Sequence, residues 1–382
     1  MAPPSGLQAN RMNFQERLAD ICARMREEKL ALLVALHDGG HFIEKPNPVT
    51  VLTGFKALGA SAAVLHPDGA RELIVTPAWD AERAGELCPQ VHVTGTDDLL
   101  AALVSSLGQH GRAAIGTAGL SALPWGLAGA FSAAFPGARA ADRVVFDAAR
   151  RKTEEEIGLA REAARIAELG YAHLLEIARP GMSEDELALA LKVHMKRLGA
   201  EDNFLLLCAG PHNRAVQPST GRKLERGDII LAEITPSVGG QLTQICRTSV
   251  LGAPAPVLRQ KYELVVEAMN HGIAAARPGV PMAEVCRAIN AVLEAQGYGE
   301  YCHPPHIRRR GHGLGFASTR PGDVSLDNMT VLEPGMLFMI HPNQYLPETG
   351  YLLCGEPVVL TAGGAEVLTR AQSSLGSIGE KV

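Results

Sequence analysis

The sequence lacks the features that define several classes of protein. It has no run approaching the roughly 18 apolar residues of a membrane-spanning helix, and its start, MAPPSGLQANRMNFQERL, has no apolar core of signal-peptide length. Basic residues are not in excess, because 36 Lys and Arg against 41 Asp and Glu give a net charge of −5. A nucleic-acid-binding protein needs a basic face. We therefore expect a cytoplasmic protein that binds neither membranes nor nucleic acids.

Disulfides and nucleotide-binding loops are also missing. The seven cysteines are scattered and odd in number, which indicates reduced thiols rather than a disulfide framework. The glycines at 311–315, GHGLG, have the spacing of neither a dinucleotide-binding loop nor a P-loop, so they predict no nucleotide site. No repeat or low-complexity tract is present. Only the first ten and last ten residues are expected to be irregular.

The length and the order of elements predict two domains. At about 150 residues per domain, 382 residues correspond to two, with the boundary near Arg150–Lys152. Residues 1–150 alternate helical and strand-like stretches, including two strands around the turn at Pro67–Gly69, and this alternation favours an α/β fold. Residues 151–382 group helices apart from paired, mostly antiparallel strands, which predicts an α+β domain.

The sequence of the second domain contains local signals for helix starts and for a hairpin turn. It opens on a long amphipathic helix, and Ser183 with Glu186 forms a capping box for the next one. Gly239–Gly240 is predicted to be a hairpin turn between DIILAEITP and QLTQICRTSVLG. Two further helices are predicted at about 256–276 and 282–296.

Four polar residues of this domain close a strand-like run or open a glycine-rich turn, and a fifth, Gln244, lies 11 residues after Glu233 on the predicted return strand of a hairpin. An unpaired polar group buried in a core is costly, so such residues are expected to find one another or a ligand. Imidazoles and carboxylates together suit Zn, Fe or Mn. The five are Glu233 in LAEITP, Gln244 in TQICRT, His312 in RRGHGLG, His341 in FMIHPNQ and Glu356 in LCGEPVV.

These motifs resemble the pita-bread superfamily of creatinases, prolidases, Xaa-Pro aminopeptidases and methionine aminopeptidases. LERGDIILAEI…GGQLTQICRT resembles its first ligand hairpin, RRGHGLG its histidine loop and LEPGMLFMIHP the strand before its fourth ligand. The match covers about 150–370, and the first domain resembles the creatinase and prolidase N-terminal domain. The resemblance implies a two-domain fold, with a creatinase/prolidase-like α/β domain before a pita-bread α+β domain, and a homodimer.

The resemblance also implies that a two-metal site has been altered here. The peptidases hold two metal ions with Asp, Asp, His, Glu and Glu, which fall on Glu233, Gln244, His312, His341 and, with a one-residue ambiguity, Glu356. A neutral Gln bridges two cations poorly. The expectation is therefore one divalent ion (Zn, Fe or Mn) on His312, His341, Glu356 and Gln244, or a metal-free pocket. Glu233, Glu356 and Gln244 are the predicted catalytic residues.

The catalytic histidines of the peptidases are also replaced. Their positions fall on Gln217 or its neighbours and on Thr319, so the usual proton donors are missing. Gln217 and Thr319 are instead predicted to contact substrate, with Arg309 and Arg310 as clamps for a substrate carboxylate. His212, His303 and His306 are alternative proton donors or ordinary loop residues.

These observations favour a small-molecule hydrolase that has diverged from the peptidases. We expect it to cleave a non-peptidic C–N bond in an anionic or zwitterionic substrate. Three alternatives stay open. They are an Xaa-Pro dipeptidase or aminopeptidase with altered ligands, a lyase like those that cleave dimethylsulfoniopropionate, and a non-catalytic binding module.

Overall fold

The computed structural model describes residues 15–108, 114–316, 320–371 and 373–379. The chain divides into two compact units, Met1–Glu155 and Glu156–Val382. Within the described ranges, no helix combines the length and the apolar character required to cross a lipid bilayer. The predicted order, an α/β region followed by an α+β region, is confirmed.

The described part of the first unit is built on a mixed six-stranded sheet in the order β4-β3-β2-β1-β5-β6. The pairings β1–β2 and β2–β3 are antiparallel, and the other pairings are parallel. The strands are β1 (Leu32–His37), β2 (Ser61–Leu65), β3 (Arg71–Val75), β4 (His92–Gly95), β5 (Ile115–Ala118) and β6 (Arg139–Ala140). The helices are α1 (Gln15–Glu27), α2 (Pro48–Thr53), α3 (Asp80–Leu87), α4 (Leu99–Gly108), α5 (Trp125–Ala134) and α6 (Asp142–Phe146).

Short apolar runs form the central strands of this sheet, and a tight turn pairs β2 with β3. Every residue of β1 and β2 is buried, as expected for central strands covered on both faces. The Pro67–Gly69 turn joins β2 to β3, and Gly69 supplies the positive φ of 91° that the turn requires.

The second unit begins with two long helices and then alternates sheet and helix. Its helices are α7 (Glu154–Ile177), α8 (Glu184–Arg197), α9 (Pro256–Ala275) and α10 (Met282–Ala295). Its longer strands are β7 (Asp202–Gly210), β8 (Ile229–Val238), β10 (Ile245–Leu251), β12 (Leu337–Ile340) and β15 (Glu356–Thr361). Its shorter strands are β9 (Gln241–Leu242), β11 (Gly311–Gly313), β13 (Gln344–Leu346), β14 (Gly350–Leu352), β16 (Gly364–Val367) and β17 (Gly376–Ile378).

Two sheets of this unit carry the predicted polar residues. One has the order β17-β10-β8-β7 with β9 beside β8, and the other has the order β11-β12-β15-β16. Bridges between Leu242 and Gly315 and between Cys246 and Gly355 join the two sheets. The side chains of both sheets can therefore meet at this junction.

The Gly239–Gly240 turn and the Ser183–Glu186 capping box are confirmed. Both glycines have positive φ, 54° and 76°, as a tight hairpin turn requires. The Ser183 side chain accepts from the Glu186 N–H while the Glu186 side chain accepts from the Ser183 N–H. The prediction that the last ten residues are irregular is wrong, because β17 pairs in parallel with β10 through Ser249–Leu251.

A continuous apolar core packs helices α9 and α10 against the sheet β11-β12-β15-β16. Val265 and Met269 of α9 and Ile289 of α10 share this core with Phe338 of β12 and Val358 of β15. The seven cysteines are free and buried. This packing fixes the end of β12, where His341 follows.

Candidate functional site

The hairpin of β8 and β10 brings Glu233 and Gln244 toward one thiol. Cys246 lies directly opposite Glu233 in the antiparallel pairing, so both side chains project from the same face. The Cys246 Sγ donates to Glu233 Oε1 at 3.8 Å and accepts from Gln244 Nε2 at 3.4 Å. Burial, followed by the charge of Glu233, raises the pKa of Cys246 well above its ordinary value. The thiol is therefore protonated at neutral pH.

His312 and His341 form an imidazole pair. The pairing of β11 with β12 sets their rings 5.3 Å apart between centroids, at an angle of 61°. His312 Nδ1 lies 2.9 Å from the carbonyl oxygen of Gly313, and because a carbonyl only accepts, Nδ1 carries the proton.

His341 is buried, at 6% exposure. Burial, followed by the nearby His312 and Arg309, lowers its pKa well below the ordinary value of 6.5, so the ring is neutral. Among the residues that the structure describes, its Nδ1 is buried without a hydrogen-bond partner. A buried polar atom of this kind normally meets water or a ligand.

The glycines beside His312 permit a close backbone approach, as the sequence indicates. A Cβ at Gly311 would lie 1.9 Å from the Met339 carbonyl oxygen, and one at Gly313 would lie 2.1 Å from that of Arg320. Side chains at these two positions are thus excluded by backbone atoms. The His312 imidazole can therefore lie against β12.

The structure does not bring Glu356 to the imidazole pair. Successive residues of a strand face opposite sides, and a Cβ at Gly355 would lie 2.6 Å from that of His341. Position 355 thus faces His341, and Glu356 faces away. Its carboxylate accepts from Arg247 at 2.8 Å, from Thr369 at 2.6 Å and from Ser373, and it lines a separate cavity of about 300 Å³.

The predicted metal ligand set is consequently not assembled. In the described ranges, no three or more His, Cys, Asp and Glu side chains lie where they could hold one metal ion. His312 and His341 offer two nitrogen donors, one fewer than the three protein ligands usual in catalytic zinc sites. Glu356 is bound to Arg247, and the Gln244 amide is directed at Cys246. The residues present therefore do not fit the one-metal site on His312, His341, Glu356 and Gln244.

Sequence reasoning missed Asn343. It is 2% exposed, and its Nδ2 donates to Glu233 Oε1 at 3.3 Å and to Cys246 Sγ at 3.8 Å. It lies two residues after His341, and so links the imidazole pair to the Glu233 side of the junction. The available indication was an amide shortly after the apolar run MLFMI, since such a residue needs partners when buried.

The two predicted arginine clamps have other partners. Arg310 is 1% exposed, and its guanidinium donates to Asn290 and to the carbonyl oxygens of residues 342 and 343. Arg309 pairs with Asp323 at 3.1 Å. Arg310 thus holds the turn after His341, and the expected clamp of a substrate carboxylate by Arg310 is not what this geometry favours.

The remaining predicted residues lie in loops or outside the described ranges. Gln217 is exposed in a loop, and Thr319 falls in 317–319, outside the described residues. His303 is 4.0 Å from Glu294. His212 and His306 both contact Tyr345, with ring centroids 5.8 and 5.9 Å away.

Known structures share this fold over nearly the whole chain. The X-Pro aminopeptidase of Thermotoga maritima superposes with a TM-score of 0.84 at 22% identity, covering 94% of this chain and 99% of that one. The prolidase of Pyrococcus horikoshii gives a TM-score of 0.81 at 23% identity, covering 94% and 99%. These likenesses establish the two-domain pita-bread fold.

Sequence comparison then identifies the family. Residues 158–366 match metallopeptidase family M24, and the chain belongs to this family. It is 31% identical over 237 residues to an Xaa-Pro dipeptidase of Pyrococcus furiosus, spanning 61% of this chain and 67% of the relative. It is 30% identical over 227 residues to an uncharacterised peptidase of Bacillus subtilis, spanning 59% of this chain and 63% of the relative.

Family membership confirms two predictions. The resemblance to the creatinase and prolidase superfamily is confirmed, and so is assignment to an enzyme family of the hydrolase class. The family is one of metallopeptidases. The site described above departs from it in its donor set.

Proposed function

We propose that this chain hydrolyses a C–N bond in a small zwitterionic substrate without a metal ion, and that Glu233 binds the cationic nitrogen of that substrate. The observation that supports it is the place of the Glu233 carboxylate at the junction of the two sheets. It contacts the Cys246 thiol and the amide of Asn343, which lies two residues after His341. A carboxylate oxygen accepts from a cationic nitrogen more strongly than a neutral acceptor does.

The imidazole pair supplies the proton transfers. The His341 Nδ1, buried without a partner in the described ranges, accepts a proton from a water molecule only while that water attacks, because burial lowers the pKa of the ring and disfavours a lasting imidazolium. The water oxygen bonds to the substrate carbon, the C–N bond breaks, and the proton passes from the ring to the leaving nitrogen. His312 packs edge-on against His341 and limits its rotation.

The resemblance to the creatinase and prolidase superfamily also supports proposals on location, oligomeric state and domain roles. The enzyme acts in the cytoplasm as a homodimer, with residues 1–150 as the N-terminal domain and residues 151–382 as the catalytic domain. Its substrate is a small molecule. The non-peptidic character of that substrate is part of the proposal, since the resemblance aligns Gln217 or its neighbours, and Thr319, with the catalytic histidines of the peptidases.

A substrate panel tests the proposal. Purified protein is assayed on guanidinoacetate and related guanidino acids and on glycylproline, each with EDTA and with added Mn²⁺ or Co²⁺. We expect turnover of a guanidino acid that EDTA does not reduce. Glu233→Gln removes the charge that binds the cationic nitrogen and is expected to lower kcat/KM by roughly 10- to 150-fold.

Glu366→Gln is the matched control, because Glu366 is half exposed and pairs with Arg161 at the surface. It should leave kcat/KM within about twofold, as surface pairs contribute little. Turnover that disappears with EDTA, or a Glu233→Gln variant as active as the parent, would contradict the proposal.

The second candidate function is that of an Xaa-Pro dipeptidase with altered ligands. The relative of Pyrococcus furiosus that carries this name favours it. Metal-dependent hydrolysis of glycylproline, without turnover of guanidino acids, would establish this alternative.

A further inference from the structure

Asn343 is held at both ends of its side chain. Its Oδ1 accepts from the backbone N–H of Cys354 at 3.2 Å, while its Nδ2 donates to Glu233 Oε1 at 3.3 Å. Because a backbone N–H only donates, the oxygen of the amide must face Cys354 and the NH₂ group must face Glu233. The orientation of this amide is therefore determined by its partners.

The backbone of Asn343 is clamped as well. Arg310 donates to the carbonyl oxygens of Pro342 and, at 3.3 Å, of Asn343. The Nε of Arg310 donates to Asn290 Oδ1 at 2.7 Å, which anchors the guanidinium to α10. A planar guanidinium with several donors in a fixed geometry restrains the turn that it binds. Neither the backbone nor the side chain of Asn343 can turn away from Glu233 without breaking these bonds.

We propose that Asn343 is a positioning residue for the hydrolysis proposed above, and that it holds the Glu233 carboxylate in the orientation that aligns the bound substrate with the imidazole pair. The inference rests on the proposed role of Glu233. An N–H that donates to a carboxylate is worth more than a neutral hydrogen bond, and it restricts the rotation of the acceptor. Misalignment of a bound substrate lowers the rate of the chemical step more than it weakens binding.

The test uses Asn343→Asp and Asn343→Ala in the full-length chain. Aspartate keeps the shape of asparagine but replaces the NH₂ donor with an oxygen and places a second carboxylate beside Glu233. The melting temperature of each variant is therefore measured with its kcat, and Asn343→Ala, which adds no charge, separates the loss of the donor from charge repulsion. We expect Asn343→Asp to lower kcat roughly 10- to 100-fold on the panel substrate with the highest wild-type turnover, with KM changed less than about threefold. Asn343→Ala should lower kcat in the same direction.

Gln344→Ala is the matched control. Gln344 is the next residue and a buried amide, but its Nε2 donates to the carbonyl oxygens of Tyr301 and Tyr345 rather than to Glu233. Its loss should lower the melting temperature and leave kcat within about threefold. Asn343→Asp introduced into Glu233→Gln should cause no further loss of kcat, because the charged acceptor is already gone.

The outcomes separate this inference from the proposed function. If Glu233→Gln is inactive but Asn343→Asp retains the wild-type kcat, the positioning role is overturned and the proposed function stands. Additive losses in the double variant overturn it as well. If no panel substrate is turned over, or Glu233→Gln is fully active, the proposed function fails and this inference fails with it.

Discussion

The adjacent residues Gly355 and Glu356 face opposite sides of the sheet β11-β12-β15-β16. Position 355 faces His341, and the Glu356 carboxylate faces Arg247. Both members of this ion pair are almost fully buried, at 3% exposure for each residue. Although burial opposes it, the charge of Glu356 keeps the pKa of Arg247 above its ordinary value. The glutamate that the sequence suggests as a ligand thus belongs to a structural ion pair.

The Arg247–Glu356 pair gives a prediction at the scale of the residue. Arg247→Met leaves a buried carboxylate without its cation and should lower the free energy of unfolding by about 3–5 kcal/mol. Chemical denaturation measures this loss. Arg247→Met combined with Glu356→Met should recover much of it, because two apolar side chains can replace a buried pair.

The control for this pair is Arg308→Met. Arg308 is 76% exposed and 3.9 Å from Asp323, so its loss should change stability by less than about 1 kcal/mol. Equal effects of the Arg247 and Arg308 variants would show that the buried pair does not stabilise the fold in the way described.

At the scale of the element, local sequence predicts where helices begin and where hairpins turn. The capping box at the start of α8 and the Gly239–Gly240 turn between β8 and β9 both depend on residues a few positions apart. Such interactions form within one segment, so they can be inferred without knowing the fold. β17 was missed because a three-residue strand is stabilised mainly by the partner strand, which lies more than a hundred positions earlier.

The capping box of α8 can be tested by Ser183→Ala. The Ser183 side chain accepts from the Glu186 N–H at 3.1 Å, and its removal leaves that donor without its cap. The free energy of unfolding should fall by about 1 kcal/mol. Ser183→Asn, which retains a capping oxygen, should fall within a few tenths of the parent, and a similar loss in both variants would argue against the cap.

At the scale of the whole molecule, each unit has its own titrating groups. His37 lies at the end of β1 in the first unit, stacked on His41 with ring centroids 5.1 Å apart. Burial, followed by the neighbouring His41 and opposed by Asp38, lowers the pKa of His37 from 6.5 to about 4. Its Nδ1 accepts from the Gly39 N–H, so the folded chain favours the neutral ring.

This shift predicts a loss of stability in acid. The unfolded chain takes up the proton near pH 6.5 and the folded chain only near pH 4, so stability is complete above pH 6.5 and falls as pH decreases toward 4. The contribution is about 3 kcal/mol. Urea denaturation at pH 7 and pH 4.5 should show a smaller difference for His37→Gln than for the wild type. An equal pH dependence in both proteins would contradict the assignment to His37.

The sequence by itself determined the two-domain organisation, most helices and strands, the caps and turns, and the family. These depend on hydrophobic periodicity and on contacts between residues close in the chain. It also selected Glu233, Gln244, His312 and His341, because polar residues at the ends of apolar runs need partners.

Only the tertiary structure decided how these residues combine. The pairing of β12 with β15 turned Glu356 away from the histidines, and the turn held by Arg310 brought Asn343 to Glu233. Strand register and loop placement arise from segments distant in sequence, and shifting a strand by one residue exchanges its two faces. For that reason the ligand set expected from the motifs and the contacts made by the side chains differ at this site.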